Sequence, residues 1–176
     1  NPDAKLMVVG DDWQSIYRFA GSDINLVTKF EKYFGRSVEF KLTKSFRFNS
    51  QIKDLSQKFI QANPMQKRKN ITVDRTVEPY KNWVHWSDQG LIPEKRSKKI
   101  VEIVKKMKEE LKLQGELLIL ARYNHNLPKG PQLKEIGEVW GENFRYMTVH
   151  RAKGQEADYV LLVDLISGVF GFPAIQ

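Results

Sequence analysis

The stretch Leu117-Leu118-Ile119-Leu120-Ala121, closed by the polar Arg122-Tyr123-Asn124, decides the fold. Five consecutive apolar side chains leave no face for water, which is what a strand buried on both sides of a sheet requires. Tyr159 to Val163 repeats the pattern, and Arg145 to Val149 supplies a further strand. Upstream, Ile100, Val104, Met107 and Leu111 fall at helical spacing and form the inner stripe of a long helix that Gly115 terminates. Strands alternating with helices imply right-handed parallel crossovers, and hence an α/β domain of three layers around a parallel sheet.

The first half of the chain continues the alternation. Lys5 to Val9 is a short apolar strand. Ser22 or Asp23 can cap a helix with Ile24, Val27 and Phe30 on one face, and Gly35 ends it. Val38 to Leu42 reads as the next strand. Asn49 caps a helix that turns Ile52, Leu55, Phe59 and Ile60 inward and stops at Asn63-Pro64. Residues 63–80 are polar and rich in breakers, so they read as loop, and Trp83 to Trp86 as a short strand. No internal repeat or low-complexity segment interrupts this order.

With 176 residues, 41% of them hydrophobic, the chain can bury one good-sized core, as one complete domain plus a partial one. Zero cysteines exclude disulfides and thiolate metal sites and fit a reducing compartment. A secretory signal and an apolar run of membrane-spanning length are both missing, which predicts a cytoplasmic protein. The net charge of +8 is unevenly spread: residues 1–50 carry 8 basic and 6 acidic side chains, residues 51–115 carry 15 and 8, and residues 116–176 carry 6 and 7. The excess is therefore central, in Lys67-Arg68-Lys69 and from Lys95 to Lys112, where the plainer reading is the solvated face of a helix. A groove tracking a phosphate backbone needs its charge gathered on one surface.

A parallel α/β sheet places its chemistry in the turns that follow strands. Three such blocks occur: Val8-Val9-Gly10-Asp11-Asp12-Trp13-Gln14-Ser15-Ile16-Tyr17-Arg18-Phe19-Ala20-Gly21-Ser22-Asp23, then Leu42-Thr43-Lys44-Ser45-Phe46-Arg47, then Met147-Thr148-Val149-His150-Arg151-Ala152-Lys153-Gly154-Gln155-Glu156-Ala157-Asp158-Tyr159-Val160. In this order and spacing they resemble the superfamily 1 DNA helicases of the UvrD/Rep type, the helicase IV branch in particular, and the resemblance spans nearly the whole chain. It implies a RecA-like lobe of the P-loop NTPase type, with residues 1–36 the end of the first motor lobe and residues 37–176 the second. Between Asn124 and Tyr146 there is no room for the helical domain that larger members insert. The chain holds no G-x-x-x-x-G-K-[ST] loop to cradle phosphates and no apolar strand ending in paired acids for magnesium. Beginning at Asn1 without an initiator Met, it reads as part of a motor that uses ATP and Mg2+, with those groups on an upstream lobe.

The resemblance also assigns residues. Gln14 links the terminal phosphate of ATP to the DNA groove, and Phe19, supported by Tyr17, stacks on a base of single-stranded DNA; stacking grips every base alike. Without the motif, Phe19 and Tyr17 would read as core aromatics. Where many relatives have Trp-Arg-Gly, this chain has Phe19-Ala20-Gly21, with one cation fewer and a smaller stacking surface. Phe46 stacks on adenine in place of the family's Tyr, and Arg47 reaches the terminal phosphate, a task suited to a planar, permanently charged guanidinium. The plainer reading of Arg47 is a surface ion pair. Arg122 and Asn124 contact the DNA backbone, Thr148 and His150 approach the DNA strand, and Glu156 accepts a hydrogen bond from the nucleotide ribose or helps arrange the site. Lys153-Gly154 makes the tight turn between those two functions.

His85 and His125 have no Cys or acid cluster at ligand spacing and read as structural. Asp11 and Asp12, adjacent in a turn, are expected to point apart. Two functions remain. One is an ATP-driven DNA translocase to which this chain gives half of the ATP cleft and half of the strand groove. The other is a non-catalytic binding or regulatory module of RecA-like shape. A phosphate loop upstream selects the first.

Overall fold

The computed structural model describes residues 4–15, 21–64, 66–74, 93–111 and 115–165. The chain packs as two compact units, Asn1–His85 and Trp86–Gln176.

The first unit opens with an irregular segment and a 3-10 turn, Asp12–Gln14. Lys5 to Val9 is not a strand: Met7 and Val9 are 87% and 82% exposed, and none of the described residues pairs with the segment. Extended chain becomes a strand only through a neighbour's ladder. The expected helix after Asp23 forms, with the Asp23 carboxylate accepting from the Asn25 N–H at 2.8 Å, but it divides into α1 (Asn25–Thr28) and α2 (Phe30–Phe34). The Thr28 hydroxyl donates back to the Ile24 carbonyl at 3.1 Å, a local bond that competes with helix continuation, and Lys29 leaves helical geometry. Gly35 ends α2 at φ 83°. Val38 to Leu42 is likewise exposed and without a strand partner among the described residues; strand pairing begins with β1 (Lys44–Ser45). Helix α3 (Ser50–Ile60) starts as expected, with Asn49 Oδ1 accepting from the Ile52 N–H at 3.0 Å. Its stripe is not inward, since Ile52, Leu55 and Phe59 are all exposed. Strand β2 (Thr72–Val73) corrects the reading of 63–80 as loop; it runs parallel to β1, Lys44 opposite Thr72. The Trp83 to Trp86 strand lies outside the described residues.

The second unit follows the sequence closely. Helix α4 (Pro93–Leu111) precedes β3 (Leu117–Ala121), α5 (Pro131–Trp140), β4 (Phe144–Thr148) and β5 (Tyr159–Leu162). The sheet order is β4-β3-β5, all parallel, with Leu117 opposite both Phe144 and Tyr159. Strand β3 is central, as its unbroken apolar run requires. Leu117, Ile119 and Ala121 pack against Ile100, Val101 and Val104 of α4 and Ile136 and Trp140 of α5, so both helices cover one face. On the other face Leu118 is buried while Val160 and Leu162 are 53% and 39% exposed. A right-handed crossover from β4 to β5 carries the Val149–Asp158 connection over that face. Arg145, level with Leu118, bonds this connection at Gln155 and Glu156.

Candidate nucleotide and DNA site

In the first unit the site begins with the turn after Gly10. Asp11 caps the 3-10 turn, its Oδ1 accepting from the Trp13 N–H at 3.1 Å, and its Oδ2 accepts from the Gln14 amide Nε2 at 2.8 Å. Both Asp11 and Asp12 then converge on one cation, the Lys69 ammonium. The expectation that they point apart is therefore wrong: adjacent carboxylates repel unless a cation lies between them, and Lys69 supplies it. Burial works to raise the Asp11 pKa, but Lys69, Gln14 and the Trp13 N–H outweigh it and hold the carboxyl below the usual aspartate range. Burial likewise works against a charged Lys69, yet the two carboxylates raise its pKa above the ordinary lysine value. Tyr17 and Phe19 lie outside the described residues.

Phe46 and Arg47 leave β1 on the exposed surface of the same unit. Phe46 is 68% exposed, and the Lys44 ammonium stands 5.1 Å from its ring centroid while pairing with Asp74 at 2.8 Å. The aromatic face is thus presented to solvent and already meets a cation.

The second unit divides its assigned residues between two ends of the sheet. Ala121 is in register with Thr148, so Arg122 and Asn124 emerge at the same carboxyl edge as His150. Arg122 lies over the Tyr123 ring at 5.2 Å, which in turn stacks on His125, also at 5.2 Å. Asn124 is exposed and His150 half-buried. Thr148 is buried, and its Oγ1 accepts from the Arg151 N–H at 3.4 Å, so it shapes the turn that carries His150. Gly154, at φ 82°, completes that turn.

Glu156 lies towards the amino edge, a strand length away, where the chain enters β5. Its carbonyl accepts from Arg145 Nη2 at 2.9 Å. Arg145 also grips Glu116 through two nitrogens and donates to Gln155 Oε1 at 2.8 Å; the bond to Glu116 raises its pKa further. Asp158 Oδ2 accepts from the Glu116 N–H at 2.8 Å. Sequence reasoning missed Arg145, Glu116 and Lys69. An arginine inside an otherwise uncharged strand was a signal for the first; Lys69 was hidden in a basic run that looked solvated. Among the described residues no cluster of His, Cys, Asp or Glu could hold a metal.

Residues 1–35 match the UvrD/REP helicase N-terminal domain. Over 175 residues, 99% of its length, the chain is 35% identical to DNA helicase IV of Escherichia coli, of which it covers 24%. It is 33% identical over 66 residues to a probable DNA helicase II homolog of Mycoplasma capricolum and 36% identical over 66 residues to the ATP-dependent DNA helicase PcrA of Bacillus subtilis. Each of those matches covers 38% of this chain and 9% of the relative. The chain thus spans about a quarter or less of the length of these relatives. An identity of this size over almost the whole chain, together with the match of residues 1–35, leads to one conclusion: the chain is similar along nearly all its length to DNA helicases of the UvrD/Rep type.

Proposed function

We propose that the chain is the C-terminal motor region of an ATP-dependent DNA helicase or translocase. The single observation that carries this reading is the 35% identity to helicase IV across 99% of the chain. Residues 1–36 end the first motor lobe and residues 37–176 form the second, a RecA-like lobe whose third layer completes the half-covered face of the β4-β3-β5 sheet. Gln14, Phe46, Arg47 and Glu156 supply part of the ATP cleft. Tyr17, Phe19, Arg122, Asn124, Thr148 and His150 supply part of the single-stranded DNA groove, with Thr148 acting through the turn it shapes. An upstream lobe of the same protein brings the phosphate loop and the acids that hold Mg2+.

In that division of labour this chain positions and stabilises charge. Phosphoryl transfer depends chiefly on positioning and on neutralising the charge that spreads over the terminal phosphate. Arg47 provides a fixed cation for that charge. Phe46 holds the adenine by its ring face, and Gln14 reports the phosphate to the DNA side. The test is ATP turnover stimulated by single-stranded DNA. The protein carrying both lobes hydrolyses ATP; the 176-residue chain alone does not. Turnover by the purified chain above a matched blank contradicts the reading.

A further inference from the structure

We propose that Lys69 is a positioning residue for Gln14, fixing the orientation of its amide through Asp11. The inference rests on the reading that Gln14 meets the terminal phosphate. A surface glutamine is free about several side-chain bonds, and its two amide ends have opposite hydrogen-bonding character. Asp11 removes both freedoms. A carboxylate only accepts, so the Gln14 nitrogen must face Asp11 Oδ2, at 2.8 Å, and the carbonyl oxygen is turned to the other side.

Asp11 can impose this only if it does not itself rotate. A cap alone needs one oxygen, satisfied here by the Trp13 N–H. The Lys69 ammonium adds a second anchor on that same oxygen. Lys69 is in turn anchored by Asp12, which at 1% exposure is the one fully buried side chain among the described residues of the first unit. Asp12 Oδ2 accepts from the Lys67 N–H at 2.8 Å, the Trp13 indole donates to the Lys67 carbonyl at 2.9 Å, and Lys69 lies 5.1 Å from the centroid of the Trp13 ring. The Gln14 turn is therefore braced by a segment more than 50 residues downstream, through contacts that end on the Gln14 side chain itself. Apolar packing in place of a buried ion pair is often as stabilising, so the role assigned to this network is the geometry it fixes.

The test uses the protein carrying both motor lobes, with steady-state ATP hydrolysis at saturating single-stranded DNA. Lys69→Met is expected to lower kcat by roughly 10- to 100-fold, the range for a misplaced catalytic group, with KM for ATP close to wild type. Lys69→Arg, which keeps the charge, restores most of the rate. Combining Lys69→Met with Gln14→Ala gives no further loss beyond Gln14→Ala alone, because the lysine acts through the glutamine. Wild-type kcat in Lys69→Met beside an impaired Gln14→Ala overturns the inference and leaves the Gln14 reading standing, and so does full additivity of the two losses. Wild-type kcat in Gln14→Ala overturns both. Should Lys69→Met melt below the assay temperature, Asp11→Asn takes its place, since asparagine keeps the cap but can face Gln14 with a donor. The same kcat loss, non-additive with Gln14→Ala, supports the inference; an unchanged kcat overturns it.

Discussion

At the scale of single residues, the Asp11–Lys69 pair sets a pH window. The Asp11 pKa lies below its ordinary 3.8 in the folded chain, so its contribution to stability is present above that value and lost as pH falls through the folded one. The Lys69 pKa lies above its ordinary 10.5, so its contribution is present below that value and lost as pH rises through the folded one. Asp11→Asn should therefore narrow the stability difference from wild type at acid pH, and Lys69→Met should do so at alkaline pH. Urea unfolding across pH measures both, and a pH-independent difference contradicts the assignment. Gly115 offers a second test. It has φ 149°, and a Cβ there would stand 2.6 Å from Asp158 Oδ2, the acceptor for the Glu116 N–H. Gly115→Ala should cost about 1–3 kcal/mol through strain and the displaced Asp158, read as a lower urea midpoint. None of these contacts was legible in the sequence, because each joins residues far apart in the chain to a side chain whose local pattern looks ordinary.

At the scale of elements, legibility followed burial. Strand β3 was readable to the residue, since a strand enclosed on both faces must be apolar throughout, and β4 and β5, each more exposed, were readable to within a residue. Lys5 to Val9 is largely apolar and Val38 to Leu42 alternates apolar with charged residues, yet neither has a strand partner among the described residues, and a suitable pattern alone does not make a ladder. Helix α5 went unread for the opposite reason. Pro128, Gly130 and Pro131 look like breakers, yet Pro131 is the first residue of the helix, where a missing N–H is harmless. The contrast between units yields a prediction. Ile119, fully buried in the core, should lose about 2–5 kcal/mol on truncation to Ala. Leu55, 63% exposed on α3, should change the stability of this chain by no more than about 0.5 kcal/mol. Equilibrium unfolding of the two variants separates them, and a large loss for Leu55→Ala would show that α3 buries its stripe after all.

At the scale of the whole molecule, no helix among the described residues is long and apolar enough to cross a membrane. The net charge of +8 is concentrated in the middle of the chain, away from most of the residues assigned to DNA. Lys67 and Lys69 are engaged with Glu39 and with Asp11 and Asp12, which reduces the charge they offer to phosphates. The isolated chain should therefore bind single-stranded DNA weakly, with a steep salt dependence and little sequence preference. Fluorescence anisotropy over a salt series checks this, and a salt-independent, sequence-selective affinity counts against a motor role.

Whether this chain supplies a catalytic face of an ATP cleft is decided by comparing Arg47→Ala with Phe46→Ala in the protein that carries both lobes. If Arg47 meets charge that develops on the terminal phosphate, Arg47→Ala lowers kcat by roughly 10³-fold or more, with a much smaller effect on ATP affinity. Phe46 touches only the base, so Phe46→Ala weakens ATP binding by about 1–3 kcal/mol and changes kcat little. Steady-state ATPase with saturating single-stranded DNA reads both constants at once. The predicted result is a kcat defect in the first variant and a KM defect in the second; wild-type kcat in a folded Arg47→Ala protein would contradict the placement of the cleft.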